Sequence, residues 1–349
     1  MRRTGVLIQP LDTLFFRGGR PFGEGLRAES GLPGPQVFAG LIRTILLEGS
    51  GADFEAMRGR SSSIEAFRAA GAEWVGKVKC RGPWLAQIEG SDVRPLVPVP
   101  ANVWLDGAGG VITLTPRRQP VPGWNPPEEG MLPLWRCGKH VEKGAPDYLG
   151  FDGLGKYLRG GGLVKEDFRS AADLFEWEER TGVGIDPATF ASQEGLLYST
   201  RNIRLKQRIG FYGEVELPEG RESLLKRVTA WGGERHHVSV ETVKAVAWPE
   251  AGGERSLALM MSPGFFRGQW RPEGIARGAL RGAAVKGPFA VSGWDLTRGG
   301  PKATRFGVDA GTVYFVEGDA RGVASFSESD EDASLGYGFY LKGTWDYAE

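Results

Sequence analysis

Two arginines near the N-terminus flank a Gly-Gly pair, with phenylalanines on either side. Residues 15–22 read Phe-Phe-Arg-Gly-Gly-Arg-Pro-Phe. Glycines let backbone N–H groups converge on an anion. The guanidinium of Arg17 or Arg20 matches a phosphate group, and the ring of Phe16 offers a face on which a base can stack. The segment predicts phosphate or RNA binding. A surface turn that its phenylalanines anchor to the core is the alternative, and these residues alone leave it open.

A predicted helix follows this segment and adds a second anion-binding feature. Residues 33–35 are Pro-Gly-Pro, and Gly49 supplies a stop for the helix. Free N–H groups at a helix N-terminus attract anions, so the helix favours the phosphate or RNA interpretation of the loop. The apolar positions that define its buried face are Phe38, Leu41, Ile42, Ile45 and Leu46.

Three cations alternate with apolar residues further along the chain. In a strand, Arg204, Lys206 and Arg208 would lie on one face, roughly 6–7 Å apart. Such a basic row could follow a nucleic-acid backbone. The nearby Arg201 and Tyr212 favour RNA over the alternative, which is a solvent-exposed sheet face.

A pair of histidines ends the sequence Gly-Gly-Glu-Arg-His-His at residues 232–237. Adjacent residues of a strand point to opposite faces, so His236 and His237 cannot readily share one metal ion. His140 follows Cys137 by three residues, but a zinc site would need further ligands that the chain scarcely has. We expect no metal or cofactor, and a structural or RNA-contacting role for this turn.

The composition limits the class of protein. The 349 residues favour two domains, and 43 basic residues balance 43 acidic ones, so any RNA site must arise from local clustering of charge. The 54 glycines indicate many special turns within folded structure. We found no signal peptide or apolar run of membrane-spanning length, and Cys80 and Cys137 are too few for a disulfide framework. These features predict a cytoplasmic protein.

The remaining patterns predict an α+β fold made of two split βαβ units, with a boundary near residue 190. Prolines crowd between residues 95 and 133, which indicates an insertion with short strands. Helices are predicted over residues 64–70, with Ser62 or Ser63 as N-cap, and over 221–231. Strands are predicted at 6–9, 74–80, 195–205, 208–217, 237–243, 256–261, 284–291 and 312–316.

The ordered motifs resemble one family, the third subunit of type III-B CRISPR (Cmr) effector complexes, which belongs to the RAMP superfamily. Residues 14–22 and Phe-Ala-Gly-Leu-Ile-Arg at 38–43 resemble its N-terminal signature. Many relatives have an acidic residue where this chain has Gly18, so a salt bridge that would orient the loop is missing. Further matching segments are residues 180–186, 194–198, 232–235, 292–296, 301–302, 310–315, 336–338 and 343–345.

The resemblance implies two ferredoxin-like (βαββαβ) domains, at residues 1–190 and 191–349, with a proline-rich insertion at about 95–135 in the first. It also implies a non-catalytic subunit that binds the 5′ tag of the CRISPR RNA. The subunit would contact the large polymerase/cyclase-like subunit and a backbone RAMP subunit, with target RNA nearby and no membrane.

Motifs and resemblance together give a set of expected RNA-binding residues. A metal-independent RNA-processing endonuclease, with His236 or His237 as general base, is the alternative function. A purely structural bridge between subunits is a third possibility. The expected RNA-binding residues are Phe16, Arg17, Arg20, Arg43, Arg201, Arg204, Lys206, Arg208, Tyr212, Arg235, His236 and Lys302.

Overall fold

The computed structural model describes residues 1–16, 28–106, 110–119, 121–135, 146–186, 188–295, 299–318 and 325–348. Within these ranges, strands predominate and helices are few, as expected for an α+β chain. None of the helices there has the length and apolar character needed to cross a membrane. The helices are α1 (Pro35–Gly49), α2 (Ser63–Ala69), α3 (Phe151–Leu158), α4 (Ala171–Leu174) and α5 (Asp330–Leu335).

The strands within these ranges vary from two-residue pairings to long hairpin arms. In chain order they are β1 (Arg2–Pro10), β2 (Ala28–Glu29), β3 (Lys79–Glu89), β4 (Asp92–Pro95), β5 (Val97–Pro98), β6 (Val103–Leu105), β7 (Val111–Thr113), β8 (Tyr148–Leu149), β9 (Phe168–Arg169), β10 (Phe175–Ile185), β11 (Ser192–Leu205), β12 (Ile209–Leu217), β13 (Arg227–Ala230), β14 (His237–Val243), β15 (Arg255–Met260), β16 (Leu280–Ala284), β17 (Pro288–Val291), β18 (Trp294–Asp295), β19 (Gly300–Pro301), β20 (Arg305–Val308), β21 (Val313–Glu317) and β22 (Tyr340–Thr344). Short 3₁₀ turns cover Glu55–Met57, Glu73–Lys77, Lys165–Asp167 and Glu222–Leu225.

The first sheet is antiparallel, in the order β13-β14-β1-β12-β3-β4. Strand β1 lies at its centre, between β14 and β12, and α1 follows β1 in the chain. The sheet takes strands from both sides of residue 190, so the predicted boundary there would cut through it. The change from the first sheet to the second falls between Val243 and Arg255.

The second sheet is also antiparallel, in the order β16-β21-β15-β22. Its strands repeat the order of the four inner strands of the first sheet. The inner strands of the first sheet are β14-β1-β12-β3. When the four strands of each sheet are numbered in chain order, their order across the sheet is 4-1-3-2. Helix α5 connects the third and fourth strands of the second sheet.

Hydrophobic residues arrange the two sheets and α1 in layers. One face of the first sheet, including Phe211, packs against the apolar face of α1. The other face, including Tyr212, shares a core with the second sheet residues Leu257 and Phe315. Because β12 is buried on both faces, it lacks the alternation of a half-exposed strand, and even Glu214 within it is buried.

The proline-rich segment helps to join the two sheets. Val97, Val99 and Val103 are buried in the core that the sheets share. Further along, the Leu132 N–H donates to the carbonyl of Arg281 in β16, with an N–O distance of 2.8 Å. The insertion therefore contains short strands, as predicted, and packs against the second half of the chain as well as the first.

Most of the predicted elements are present, but three differ. Residues 74–78 form a 3₁₀ turn and the residue after it, and the strand begins at Lys79. The predicted helix at 221–231 is wrong, because residues 227–230 pair with β14 as the edge strand of the first sheet. The predicted strand at 284–291 is two short strands, β16 and β17, in different sheets.

Candidate nucleic-acid interface

The residues just before and just after residues 17–27 both pair with strand β11. Before this segment, Leu14 and Ile203 exchange two backbone hydrogen bonds, with N–O distances of 2.9 and 2.8 Å. After it, β2 pairs in parallel with β11 at Thr200 and Arg201. Arg17 and Arg20 lie outside the described residues, and the described residues on both sides of their segment pair with β11.

Five residues form what we call the neck of this segment: Phe15, Phe16, Ser30, Gly31 and Trp231. The N–H of Phe16 donates to Ser30 Oγ at 2.9 Å, and its carbonyl accepts from the Gly31 N–H at 3.0 Å. The Trp231 and Phe16 rings meet edge to face, with centroids 4.8 Å apart. Because Phe16 is only 5% exposed, its predicted role as a stacking surface for RNA is wrong. The ring anchors the neck.

The turn that joins β13 to β14 packs against the neck, and two glycines make this contact possible. The Gly233 N–H donates to the Phe15 carbonyl at 2.8 Å, and a Cβ atom on Gly232 would lie 2.5 Å from the same oxygen. Glu234 and Arg235 follow with left-handed φ angles of +57° and +56°, which indicates strain in residues other than glycine. Both side chains are exposed, so the turn presents Arg235 to solvent beside the neck.

His236 completes this turn as a half-buried side chain. Burial, and secondly the nearby Arg180 cation, lowers the pKa of His236 below its ordinary value. The imidazole is therefore mainly neutral at pH 7, and it can hydrogen-bond RNA but adds little charge. Among the described residues, no three His, Cys, Asp or Glu side chains are placed to hold a metal ion. Cys137 and His140 lie outside the described residues.

Carboxylates neutralise the cations of the β10–β11 hairpin. Arg204 Nε lies 2.6 Å from Glu178 Oε2, and its Nη2 lies 3.1 Å from Asp12 Oδ1. Arg180 binds the same two carboxylates, at 2.8 Å from Glu178 and 2.9 Å from Asp12. Hydrogen bonds from Arg180 and Arg204 lower the pKa of Glu178. This network fixes Arg204 in place but leaves little net charge for a phosphate.

The predicted row of three cations on one strand face is wrong. Strand β11 ends at Leu205, so Lys206 and Arg208 lie in the turn before β12. Lys206 Nζ is paired with Glu176 Oε2 at 2.7 Å. Arg208 is exposed, has a φ of +61°, and has no carboxylate partner within the described part of the chain. Of the three, Arg208 is the one available for an anion.

A half-buried cation–aromatic pair lies on the same hairpin. The Arg201 guanidinium carbon is 4.3 Å from the centroid of the Trp177 ring. Phe175 supports Trp177 edge to face, with centroids 5.4 Å apart. Both members of the pair are half-buried, and Arg201 is the residue at which β2 joins the hairpin. Sequence reasoning missed Trp177, although its alternation with acidic residues in β10 was a signal.

The other three predicted residues lie away from the neck. Tyr212 is fully buried, and its hydroxyl donates to Glu214 Oε1 at 3.0 Å and accepts from the Val246 N–H at 2.8 Å. Its predicted role in base stacking is therefore wrong. Arg43 and Lys302 line a groove beside α1 and are not part of the neck.

The fold and the neck define an α+β chain with two antiparallel sheets of the same strand order, and comparisons with known proteins identify its family. Residues 6–345 match the family described as CRISPR-associated protein (Cas_Cmr3). The chain belongs to this family, which confirms the resemblance that its motifs indicated.

Two solved structures have a similar fold. A chain in the cryo-EM structure of the Type III-B Cmr-beta bound to cognate target RNA and AMPPnP is 15% identical, with a TM-score of 0.54 over 89% of this chain and 86% of that one. A chain in the structure of the Type III-B Cmr-beta bound to cognate target RNA is 16% identical, with the same coverage and a TM-score of 0.53. No sequence among the curated proteins matches this chain.

Proposed function

We propose that this chain is a non-catalytic RNA-binding subunit of a type III-B CRISPR effector complex. It binds the 5′ tag of the CRISPR RNA and joins the large polymerase/cyclase-like subunit to the backbone RAMP subunit, with target RNA nearby. It acts in antiviral defence in the cytoplasm. The observation that carries this proposal is the match of residues 6–345 to the Cas_Cmr3 family.

We propose further that the chain contains two ferredoxin-like domains. The strand order of each sheet, with the fourth strand beside the first and the third beside the second, is the order of a βαββαβ unit. In the first unit, the 3₁₀ turn at Glu222–Leu225 takes the place of the second helix. In the second unit, α5 is the second helix, and residues 261–279 contain no helix where the first would lie.

The neck and the surfaces beside it are the proposed tag-binding site. Single-stranded RNA is read by splaying its bases, stacking them and bonding their edges, which requires aromatic faces and cations around an open backbone. We assign phosphate contacts to Arg17, Arg20 and Arg235, and a stacking role to the pair of Arg201 and Trp177. The geometry that supports this assignment is the convergence of the glycine turn and the hairpin on the neck.

The experiment measures the affinity of the assembled complex for labelled tag RNA at several salt concentrations. Arg235→Ala and Arg201→Ala are compared with Arg277→Ala, which removes an exposed arginine of the second half of the chain. For each lost phosphate contact we expect weaker binding and a salt slope smaller by about 0.7. Unchanged affinity and slope in these variants and in Arg17→Ala/Arg20→Ala would instead support the structural bridge.

One observation keeps the endonuclease as a second candidate. The lowered pKa of His236 leaves its imidazole neutral, and a general base must be unprotonated to accept a proton. Incubation of the purified chain with repeat RNA separates the two functions. We expect no cleavage. Cleavage that disappears in His236→Ala/His237→Ala would overturn the non-catalytic proposal.

A further inference from the structure

A groove of about 590 Å³ runs along the side of α1 that faces away from the first sheet. The sheet side of α1 is fully buried in the first core, whereas Gly40 and Thr44 lie on the opposite side and line the groove together with Val37 at the edge of the core. Phe54, which is 42% exposed, and Phe67 of α2 form one wall. The groove is therefore an open apolar surface beside a helix that is otherwise packed.

Gly40 leaves the centre of this groove empty. A Cβ atom at this position would meet no other atom within 4 Å, and the residue is exposed in the middle of a 15-residue helix. Glycine is a poor helix former, so Gly40 weakens α1 without relieving any contact in the chain itself. It does allow the backbone of a second helix to approach α1 closely, and Thr44 extends the small-residue face by one turn.

The charges around the groove have one sign. Arg43, Arg58 and Lys302 line it, and none of the described lining residues is acidic. Arg58 is already paired with Glu55 at 3.0 Å. Arg43 donates through Nη2 to Ser334, but its Nε is buried without a hydrogen-bond partner in the described part of the chain. The groove therefore complements an acidic surface, with the exposed Lys302 and the guanidinium of Arg43 at its margin.

We propose that this groove receives an amphipathic helix with an acidic flank from another protein subunit of the effector complex. The proposal rests on the proposed function, because it assumes that the chain works within a complex. Helix-in-groove docking buries apolar side chains spaced at i, i+3, i+4 and i+7, which the apolar floor can accept. Acidic side chains on the flank of that helix would then reach Arg43 and Lys302.

Two other occupants fit the groove less well. An RNA strand needs a continuous basic surface, whereas this floor is apolar and only its margins are basic. A second copy of the chain would have to offer an acidic helix. The acidic helix α5 is short, and its Asp332 is held by Arg305 of the same chain at 2.7 Å. Another protein is therefore the occupant that the groove favours.

The first test fills the groove with Gly40→Gln and uses Gly252→Gln as the matched control. Gly252 is also exposed, and a Cβ atom there would likewise meet nothing within 4 Å. We expect the isolated Gly40→Gln chain to unfold at the same or a higher temperature than the unmodified chain. We expect its incorporation into the co-expressed complex to fall at least tenfold, with no change for the control. Normal assembly of Gly40→Gln would overturn the proposal.

The second test places a photo-crosslinking amino acid at position 44 in the assembled complex. A cross-link to an acidic amphipathic helix of another subunit is expected. Cross-links to RNA or to a second copy of this chain, or no protein cross-link at all, would overturn it. Tag-RNA binding by the isolated unmodified chain and by isolated Gly40→Gln is measured in parallel. If the unmodified chain fails to bind tag RNA while Gly40→Gln still blocks assembly, the proposed RNA function fails and the docking groove stands.

Discussion

Replacement of Gly232 by alanine should loosen the neck of the 17–27 segment. Gly232 has a φ of +83°, and a Cβ atom there would lie 2.5 Å from the Phe15 carbonyl oxygen and 3.0 Å from the Phe16 ring. That oxygen accepts the Gly233 N–H at 2.8 Å. The turn must therefore move away from Phe15, and this hydrogen bond cannot survive the movement.

The expected loss of stability has two parts. A non-glycine residue in the left-handed region costs about 1–2 kcal/mol. A buried carbonyl that loses its donor costs about 1–3 kcal/mol more. Gly232→Ala should then lower the free energy of unfolding by about 2–5 kcal/mol, and Gly220→Ala should show only the first part. Gly220 has a φ of +80°, and a Cβ atom there would meet nothing within 4 Å.

Urea unfolding of the two variants and the unmodified chain, followed by circular dichroism and tryptophan fluorescence, measures these differences. Tag-RNA affinity provides a functional readout, and we expect it to fall at least tenfold for Gly232→Ala and to stay unchanged for Gly220→Ala. If the free energies of unfolding of the two variants differ by less than about 0.5 kcal/mol, the contact with Phe15 does not hold the turn, and our account of the neck is incorrect.

Three pH-dependent predictions concern single titrating groups. The pKa of Glu178 is lowered by Arg180 and Arg204, so its stabilisation is present above the ordinary glutamate pKa and lost as pH falls through the lowered value. Glu178→Gln should therefore lower the unfolding temperature more at pH 7 than at pH 3, and an equal lowering at both pH values would contradict this. Burial raises the pKa of Glu214, so ionisation above that value destabilises the fold. The unfolding temperature of Glu214→Gln relative to the unmodified chain should rise as pH increases above the ordinary glutamate pKa, and a fall would refute it. The lowered pKa of His236 predicts that His236→Gln leaves the pH profile of tag affinity unchanged between pH 7 and 8.5, which binding assays can check.

Local signals in the sequence predicted two of the described helices, α1 and α2. Helix α1 has an unbroken apolar face, and α2 begins as expected after Ser62, whose side chain accepts from the Glu65 N–H at 3.3 Å. The segment 221–231 failed because residues 227–230 pair with a strand that lies beyond the glycine turn. Pairing with β14 outweighs the local helical spacing of the leucines. No short-range pattern in the sequence reveals this pairing.

The candidate site was predicted in outline, and its aromatic residues were assigned wrongly. The resemblance to the family assigned both the glycine turn and the N-terminal segment to RNA binding. In the structure, the turn packs against the neck. Phe16 and Tyr212 were expected to face RNA, but burial of an aromatic residue depends on layers that form only when distant segments pack. The neutralisation of Arg204 likewise needs Glu178 from the neighbouring strand, together with Asp12.

The residues at both ends of residues 17–27 are attached to one strand, β11. This segment can therefore evolve separately from the rest of the fold. The hydrogen bonds that fix the ends belong to Leu14, Phe16 and the residues from Ala28 to Gly31, none of which lies within the segment. Lengthening a loop between fixed ends costs little, about 0.6 kcal/mol for each doubling. Insertions, deletions and exchanges within residues 17–27 therefore leave the residues that form these hydrogen bonds unchanged. Under the proposed function, related chains can diverge in the RNA they recognise while they keep one scaffold, and a segment grafted from a relative is expected to carry its preference with it.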